Sequence, residues 1–339
     1  CILDVPHINL HVDALPATVP CAPSRTISPS SWRKWAGSIG SMDSLTQRMP
    51  YVTAFSKALG TGMMISVDSP IDDKVRSAME SLIEDYEHVL SRFRNDSLIA
   101  AIGKAEHGGS FDFPDWCAPL FDLYDALFSA TSGAIDPCVG EDLIRLGYDA
   151  SLSFTVTQDA PEHLGALRGR AVWGRDVTRH GTTLVTHEPV QLDFGACGKG
   201  YLVDLLGRML QSSQFVIDAG GDLLIHAEQP ISVALEDPED QSHAIGIAHI
   251  ANGALCASAP SRRHWNVAVN ERTQIAIHHL LNAIDGLPAQ QTEASWAYVP
   301  ANATLNLARD YPTAVADGLA TALFVSDVAQ LQRTFDFTY

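Results

Sequence analysis

The sequence predicts an α+β fold, and three observations carry that prediction. Runs of alternating apolar residues come in groups, as in "YVTAFSKALGTGMMISVDS" and again from Gln214 onward. Segments with apolar residues at helical spacing separate these groups, whereas a doubly wound sheet alternates strand and helix one for one. The chain has 339 residues, 46% of them hydrophobic, which is enough to bury one large core or two modest ones.

The elements follow in order. Residues 1 to 50 hold three acidic groups (Asp4, Asp13, Asp43), four basic ones and clusters of Pro and Ser without sustained periodicity, so they read as a disordered tail before a domain over 51–339. "YVTAFSKALGTGMMISVDS" reads as two strands about a Gly-containing turn. Val75, Met79, Leu82, Ile83, Tyr86 and Leu90 then recur at helical spacing. A second helix is predicted in "DWCAPLFDLYDALFSATSG", with Gly133 placed for a left-handed cap. Downstream come a helix in "GYLVDLLGRML", a hairpin in "QFVIDAGGDLLIHA" about Gly220 and Gly221, short strands in "ISVALEDP", "HAIGIAHI" and "GALCAS", and a helix in "AVADGLATALFVSD".

Composition excludes several classes. A net charge of -18, from 22 basic against 40 acidic residues, repels nucleic acid and anionic lipid, and no basic patch offsets it. No apolar run approaches the roughly 18 residues of a membrane span. The first residues lack the basic and apolar regions of a secretory signal. A cytoplasmic protein is therefore expected, with a membrane-anchored extracytoplasmic one as the alternative if Cys1 is a lipoprotein cysteine. The six cysteines are scattered, with no CxxC and no close His, so they read as free thiols and not as a zinc site.

Three segments could carry chemistry. In "LDFGACGKGYLVD", Gly195, Gly198 and Gly200 bracket Lys199 before a helix, which offers backbone N–H groups and a cation to phosphate. The spacing fits neither a P-loop nor GxGxxG, and on local evidence alone a structural turn with Asp193 capping and Lys199 solvated is the favoured reading. In "ADGLATAL", Asp317 and Thr321 stand at i and i+4, where both could reach a hard cation; an ordinary helical Asp and Thr would look the same. "HLLNAIDGLP" opens on His279 after an apolar strand, and "ASAPSRRHW" supplies Arg262 and Arg263. Alone, these read as a structural histidine and a solvated basic pair.

Taken in order, "LGTGMMISV", "SRFRNDSLI", "SGAIDP", "LDFGACGKGYLVD", "IDAGGDL", "ALEDP", "HLLNAIDGLP" and "ADGLATAL" give the chain a pattern that resembles the ApbE family of FAD:protein FMN transferases over nearly all of 51–327. The resemblance implies a T-fold-like arrangement of duplicated α/β halves with mixed, mainly antiparallel sheets and the flavin between them. It implies FAD as substrate, with contacts from Leu59, Phe93, Ala134, Ile135, Asp136, Asp193 and Lys199, and Mg2+ held by Ala196, Asp317 and Thr321, with the backbone of Ala320 close by. His279 matches the family's catalytic histidine. The implied activity is Mg-dependent transfer of FMN to a Thr or Ser hydroxyl of an acceptor flavoprotein carrying a flavinylation motif, by a monomer or homodimer. Hydrolysis of FAD to FMN and AMP, and flavin binding without chemistry, are the alternatives. Leu59 stands where the family usually has Met, and Asn282, Ala283 and Asp285 where it usually has Asp, Pro and Thr. "ASAPSRRHW" also departs from the usual Thr-Ser-Gly-Asp-Tyr.

Overall fold

The computed structural model describes residues 45–339 except 241, 271 and 272, so most of the predicted tail lies outside the described residues. Its last residues belong to the folded domain. Leu45–Arg48 is a helical turn, Met49 is fully buried, and Arg48 donates to the carbonyls of Gln229 (2.7 Å) and Pro230 (3.4 Å).

Strands β1 (Tyr51–Ala58) and β2 (Thr61–Val67) pair antiparallel across a two-residue turn. Leu59 and Gly60 both take positive φ there (53° and 70°), the backbone that a twisted hairpin favours. The Leu59 N–H donates to Glu87 Oε1 at 2.7 Å. Glu87 belongs to helix α1 (Asp73–Leu90), which Asp72 caps and which buries Met79, Ile83, Tyr86, Val89 and Leu90. A short helix, α2 (Leu98–Lys104), capped by Ser97, was too brief to show a period in the sequence. Strand β3 (Gly109–Asp112) and helix α3 (Ala118–Ala130) follow, and Gly133 closes α3 with its N–H on Phe128 O at 2.8 Å. Strands β4 (Val177–His180) and β5 (Thr183–Thr186) form a small sheet with β3.

Helix α4 (Gly198–Gly207) begins inside the glycine-lysine segment, two residues ahead of its periodic part. Strand β6 (Phe215–Asp218) turns through Gly220 and Gly221, at φ of 68° and 106°, into β7 (Asp222–Glu236). The short strands predicted beyond this hairpin prove to be continuous. β7 runs through the polar stretch at Glu228, Gln229 and Pro230, and β8 spans Ala244–Ser258. The ladder slips between His226 and Ile231, so the polar residues open a bulge without ending the strand. Hairpins β9 (His264–Asn270) with β10 (Thr273–His278) and β11 (Leu281–Asn282) with β12 (Leu287–Pro288) lead to β13 (Ser295–Pro300) and helix α5 (Pro312–Ala322).

The main sheet has the order β1-β2-β6-β7-β8-β13, antiparallel throughout. Its pleat sends Ile217 into the large core with α1, α3, α4 and α5, and the adjacent Val216 into a smaller cluster with Met49, Leu223, Ile225 and Ile250. Gly200 lets α4 approach α5 closely, because a Cβ there would strike the Thr313 carbonyl. Buried Asp204 of α4 accepts the Thr313 and Ala314 N–H groups at 3.1 and 2.8 Å, capping α5 from its neighbour. Burial pushes the Asp204 carboxyl up to about 7. The predicted free thiols Cys117, Cys138, Cys197 and Cys256 are buried and unpaired, whereas Cys1 and Cys21 lie outside the described residues.

Candidate active site

Segment 193–200 joins two groups of side chains. At its start, the Asp193 N–H donates to Pro137 O (2.7 Å), and Asp193 Oδ1 accepts the Gly195 N–H (2.6 Å), shaping the turn that leads to Ala196. The capping role read from sequence is therefore present. Asp193 Oδ2 accepts from Arg92 Nε, while Arg92 Nη1 donates to Tyr148 O at 2.6 Å. The guanidinium lies over the Phe93 and Tyr148 rings, 4.2 and 4.7 Å from their centroids. Phe93 is 42% exposed, as a residue facing a ligand can be.

Tyr148 also faces the half-buried His279, at 6.5 Å between rings. The Arg263 carbonyl accepts from His279 Nδ1 at 3.2 Å, which places the proton on Nδ1 and leaves Nε2 as a lone-pair acceptor. Burial pushes the imidazole down to about 4, so it is neutral near pH 7; the Arg263 carbonyl opposes this shift and the Arg263 and His278 charges add to it. Arg263 thus contributes through its backbone carbonyl and through its charge, the guanidinium lying 5.9 Å from the Tyr148 ring centroid. The Arg262 side chain lies outside the described residues.

The hairpin that follows His279 is docked on the other predicted contacts. The Ala283 N–H donates to Ala134 O at 3.0 Å, and Ala283 O accepts from Arg170 Nη2 at 2.7 Å. Arg170 is fully buried between Asp136 and Asp142, at 3.5 and 2.8 Å. Asp136 also caps Cys138 N (2.8 Å) and accepts from Trp173 N (3.3 Å), so its carboxylate works inside the protein. Ala134 and Ile135 are buried beside it. Leu59 sits at the β1–β2 turn, next to the Gly220 turn, where a Cβ added to Gly220 would touch Thr61 Oγ1 at 3.0 Å.

The second group gathers at the end of the segment. Lys199 Nζ pairs with the fully buried Asp222 and lies 3.8 Å from Asp317 Oδ1, so this lysine is ion-paired and only partly exposed, at 28%. Asp317 Oδ2 accepts the Gly200 N–H at 2.9 Å. Thr321 Oγ1 lies 3.4 Å from Ser258 Oγ, and the Ala320 carbonyl accepts from Ser295 Oγ at 2.6 Å. Tyr86 of α1 donates to Gly198 O at 2.6 Å, and a Cβ on Gly318 would lie 3.4 Å from Cys197 Cβ, so the chain around Ala196 abuts α5.

A model of the ApbE family matches residues 59–337. The chain belongs to the ApbE family. The "FAD:protein FMN transferase" of Treponema pallidum (strain Nichols) is 27% identical over 286 residues, covering 74% of this chain and 72% of that protein. Among solved structures, the ApbE protein of Thermotoga maritima matches with a TM-score of 0.67 and 19% identity over 85% of this chain and 93% of its own. The flavin transferase ApbE of Vibrio cholerae matches with 0.64 and 18% over 82% and 88%. These structures share the mixed α/β fold with antiparallel sheets described above.

In this ApbE chain the metal ligands that the resemblance implies, Ala196, Asp317 and Thr321, would offer one carbonyl, one carboxylate and one hydroxyl. That set is too sparse for a metal cage, and no group of three His, Cys, Asp or Glu side chains suited to a metal occurs among the described residues. It fits an ion such as Mg2+ that completes its shell with water and phosphate oxygens. Sequence reading missed Arg92, Tyr148, Asp222, Ser258 and Ser295. Arg92, Asp222 and Ser258 lie within quoted segments ("SRFRNDSLI", "IDAGGDL" and "ASAPSRRHW") but were not singled out there, whereas Tyr148 and Ser295 lie outside them.

Proposed function

We propose that this chain transfers the FMN half of FAD to a Ser or Thr hydroxyl of an acceptor flavoprotein. Family membership and the name of the Treponema relative support the reaction class. The observation that carries the assignment of roles is His279, a neutral imidazole with Nδ1 engaged by a backbone carbonyl and Nε2 open as a base. The acceptor hydroxyl oxygen attacks the FMN-side phosphorus, His279 Nε2 takes the hydroxyl proton, and the bond to the AMP oxygen breaks, with AMP keeping the electron pair. Asp317, Thr321 and the Ala196 carbonyl would hold Mg2+, which when bound would offset charge developing on the pyrophosphate oxygens. Lys199, fixed by Asp222, brings a cation toward the phosphates in a protein whose net charge of -18 otherwise repels them. Phe93, Leu59 and the backbone at Ala134 and Ile135 line the flavin side with Asp136, that backbone being held by Thr131 Oγ1 on the Ile135 N–H and by the Ala283 N–H on Ala134 O.

The test mixes purified protein with FAD, Mg2+ and an acceptor carrying a Ser/Thr flavinylation motif, then reads in-gel flavin fluorescence and the FMN mass addition. Mg-dependent labelling is the expected result. FMN and AMP without labelling would replace transfer by hydrolysis, and bound but unchanged FAD would leave a flavin-binding protein.

A further inference from the structure

Arg92 stands two residues beyond the last residue of α1, just after its Ser91 cap, and its side chain is only 7% exposed. It touches three separate parts of the site: the Asp193 carboxylate, the Tyr148 carbonyl and the Phe93 ring. Its Nη2 is buried and has no hydrogen-bond partner in the protein. A buried arginine with a purely structural task normally has its donors satisfied, because an unmet donor of a charged group is costly.

Asp193 adds a second argument. Its side chain is 15% exposed and borders the site proposed above for FAD, itself an anion, in a protein of charge -18. Without a counter-charge it would repel that substrate, and a carboxylate free to rotate would also release the Gly195 turn. Arg92 addresses both problems, because its Nε holds Oδ2 while Oδ1 stays on the Gly195 N–H. The carbonyl of Ala196 and the start of α4 at Gly198 follow that turn.

We propose that Arg92 is a positioning residue for the flavin dinucleotide: it cancels the Asp193 charge and locks the 193–200 turn into its binding shape. The inference rests on the flavin reading above and adds a residue to it. Lysine in its place would keep the charge but lose the fork that engages Asp193 and Tyr148 together.

The experiment titrates FAD, by quenching of flavin fluorescence in the presence of Mg2+, into the wild type, Arg92→Gln, Arg92→Lys, Asp193→Asn and the Arg92→Gln/Asp193→Asn double variant, with circular dichroism melts alongside. The wild type binding FAD while Arg92→Gln, still folded, binds about tenfold or more weakly is the expected result, the scale of a charge-assisted contact. The double variant should bind better than the product of the two single losses allows, because the neutral amide of Asp193→Asn no longer needs the cation. Folded Arg92→Gln within twofold of the wild type, or losses that simply multiply, would overturn the proposal. If Arg92→Gln does not fold, Arg92→Lys decides: weakened binding supports the inference and unchanged binding overturns it. A folded wild type that fails to bind FAD would remove the flavin reading itself, and this inference with it.

Discussion

At the scale of single residues, the proposed chemistry centres on His279. With Nδ1 on the Arg263 carbonyl and its ring kept neutral by burial, it presents one lone pair and little else. Replacing it by Ala should slow single-turnover FMN transfer by roughly 100 to 10,000-fold, the usual worth of a positioned base. FAD affinity, read by flavin fluorescence, should change by no more than a few fold; a loss of binding with an unchanged rate would assign His279 to substrate contact. The pH dependence follows from the shift. The imidazole is lowered from 6.5 to about 4, and a base works when unprotonated, so activity that depends on it persists as pH falls below 6.5 and is lost as pH passes through about 4. A transfer rate that already halves near pH 6.5 would show that His279 titrates like an exposed histidine in the working complex.

At the scale of elements, the site depends on how closely α4 can approach α5. The Gly200 contact with Thr313, the Gly200 N–H on Asp317 and the Asp204 cap on the first turn of α5 all require that approach. Gly200→Ala forces the helices apart and should cost about 1 to 3 kcal/mol of stability, the usual size of an overpacking defect. Urea denaturation measures the loss, and Mg-dependent labelling should fall further than stability alone explains, because Asp317 is carried on the displaced helix. Labelling at the wild-type level in a destabilised but folded variant would mean that this approach is structural only.

At the scale of the whole molecule, Arg170 ties distant stretches of chain into one body. It joins Asp136, Asp142 and the Ala283 carbonyl, and so seats the hairpin after His279 on the loop at Ala134. Arg170→Met leaves two buried carboxylates without their cation and should cost about 3 to 5 kcal/mol in a denaturation measurement. A loss below about 1 kcal/mol would show that the carboxylates take up protons readily in its absence. Burial already pushes Asp142 up to about 6 beside Arg170, which is the direction such a rescue would exploit.

The sequence by itself determined the α+β class, the main helices, the hairpin at Gly220 and Gly221, and the family, because periodicity and turn chemistry are local and the family's motifs are short runs. It also pointed to His279, Lys199 and Asp317 as residues of one site. Local pattern misjudged strand length, since a polar bulge within a strand looks like a loop until a partner strand pairs on both sides of it. Only the tertiary structure decided what those site residues touch. Arg92 reaches Asp193 across 101 positions, and the Gly200 N–H reaches Asp317 across 117. The proton on His279 is placed by a carbonyl 16 residues away. Charge pairing, burial and tautomer are properties of neighbours in space, and no window of sequence contains those neighbours.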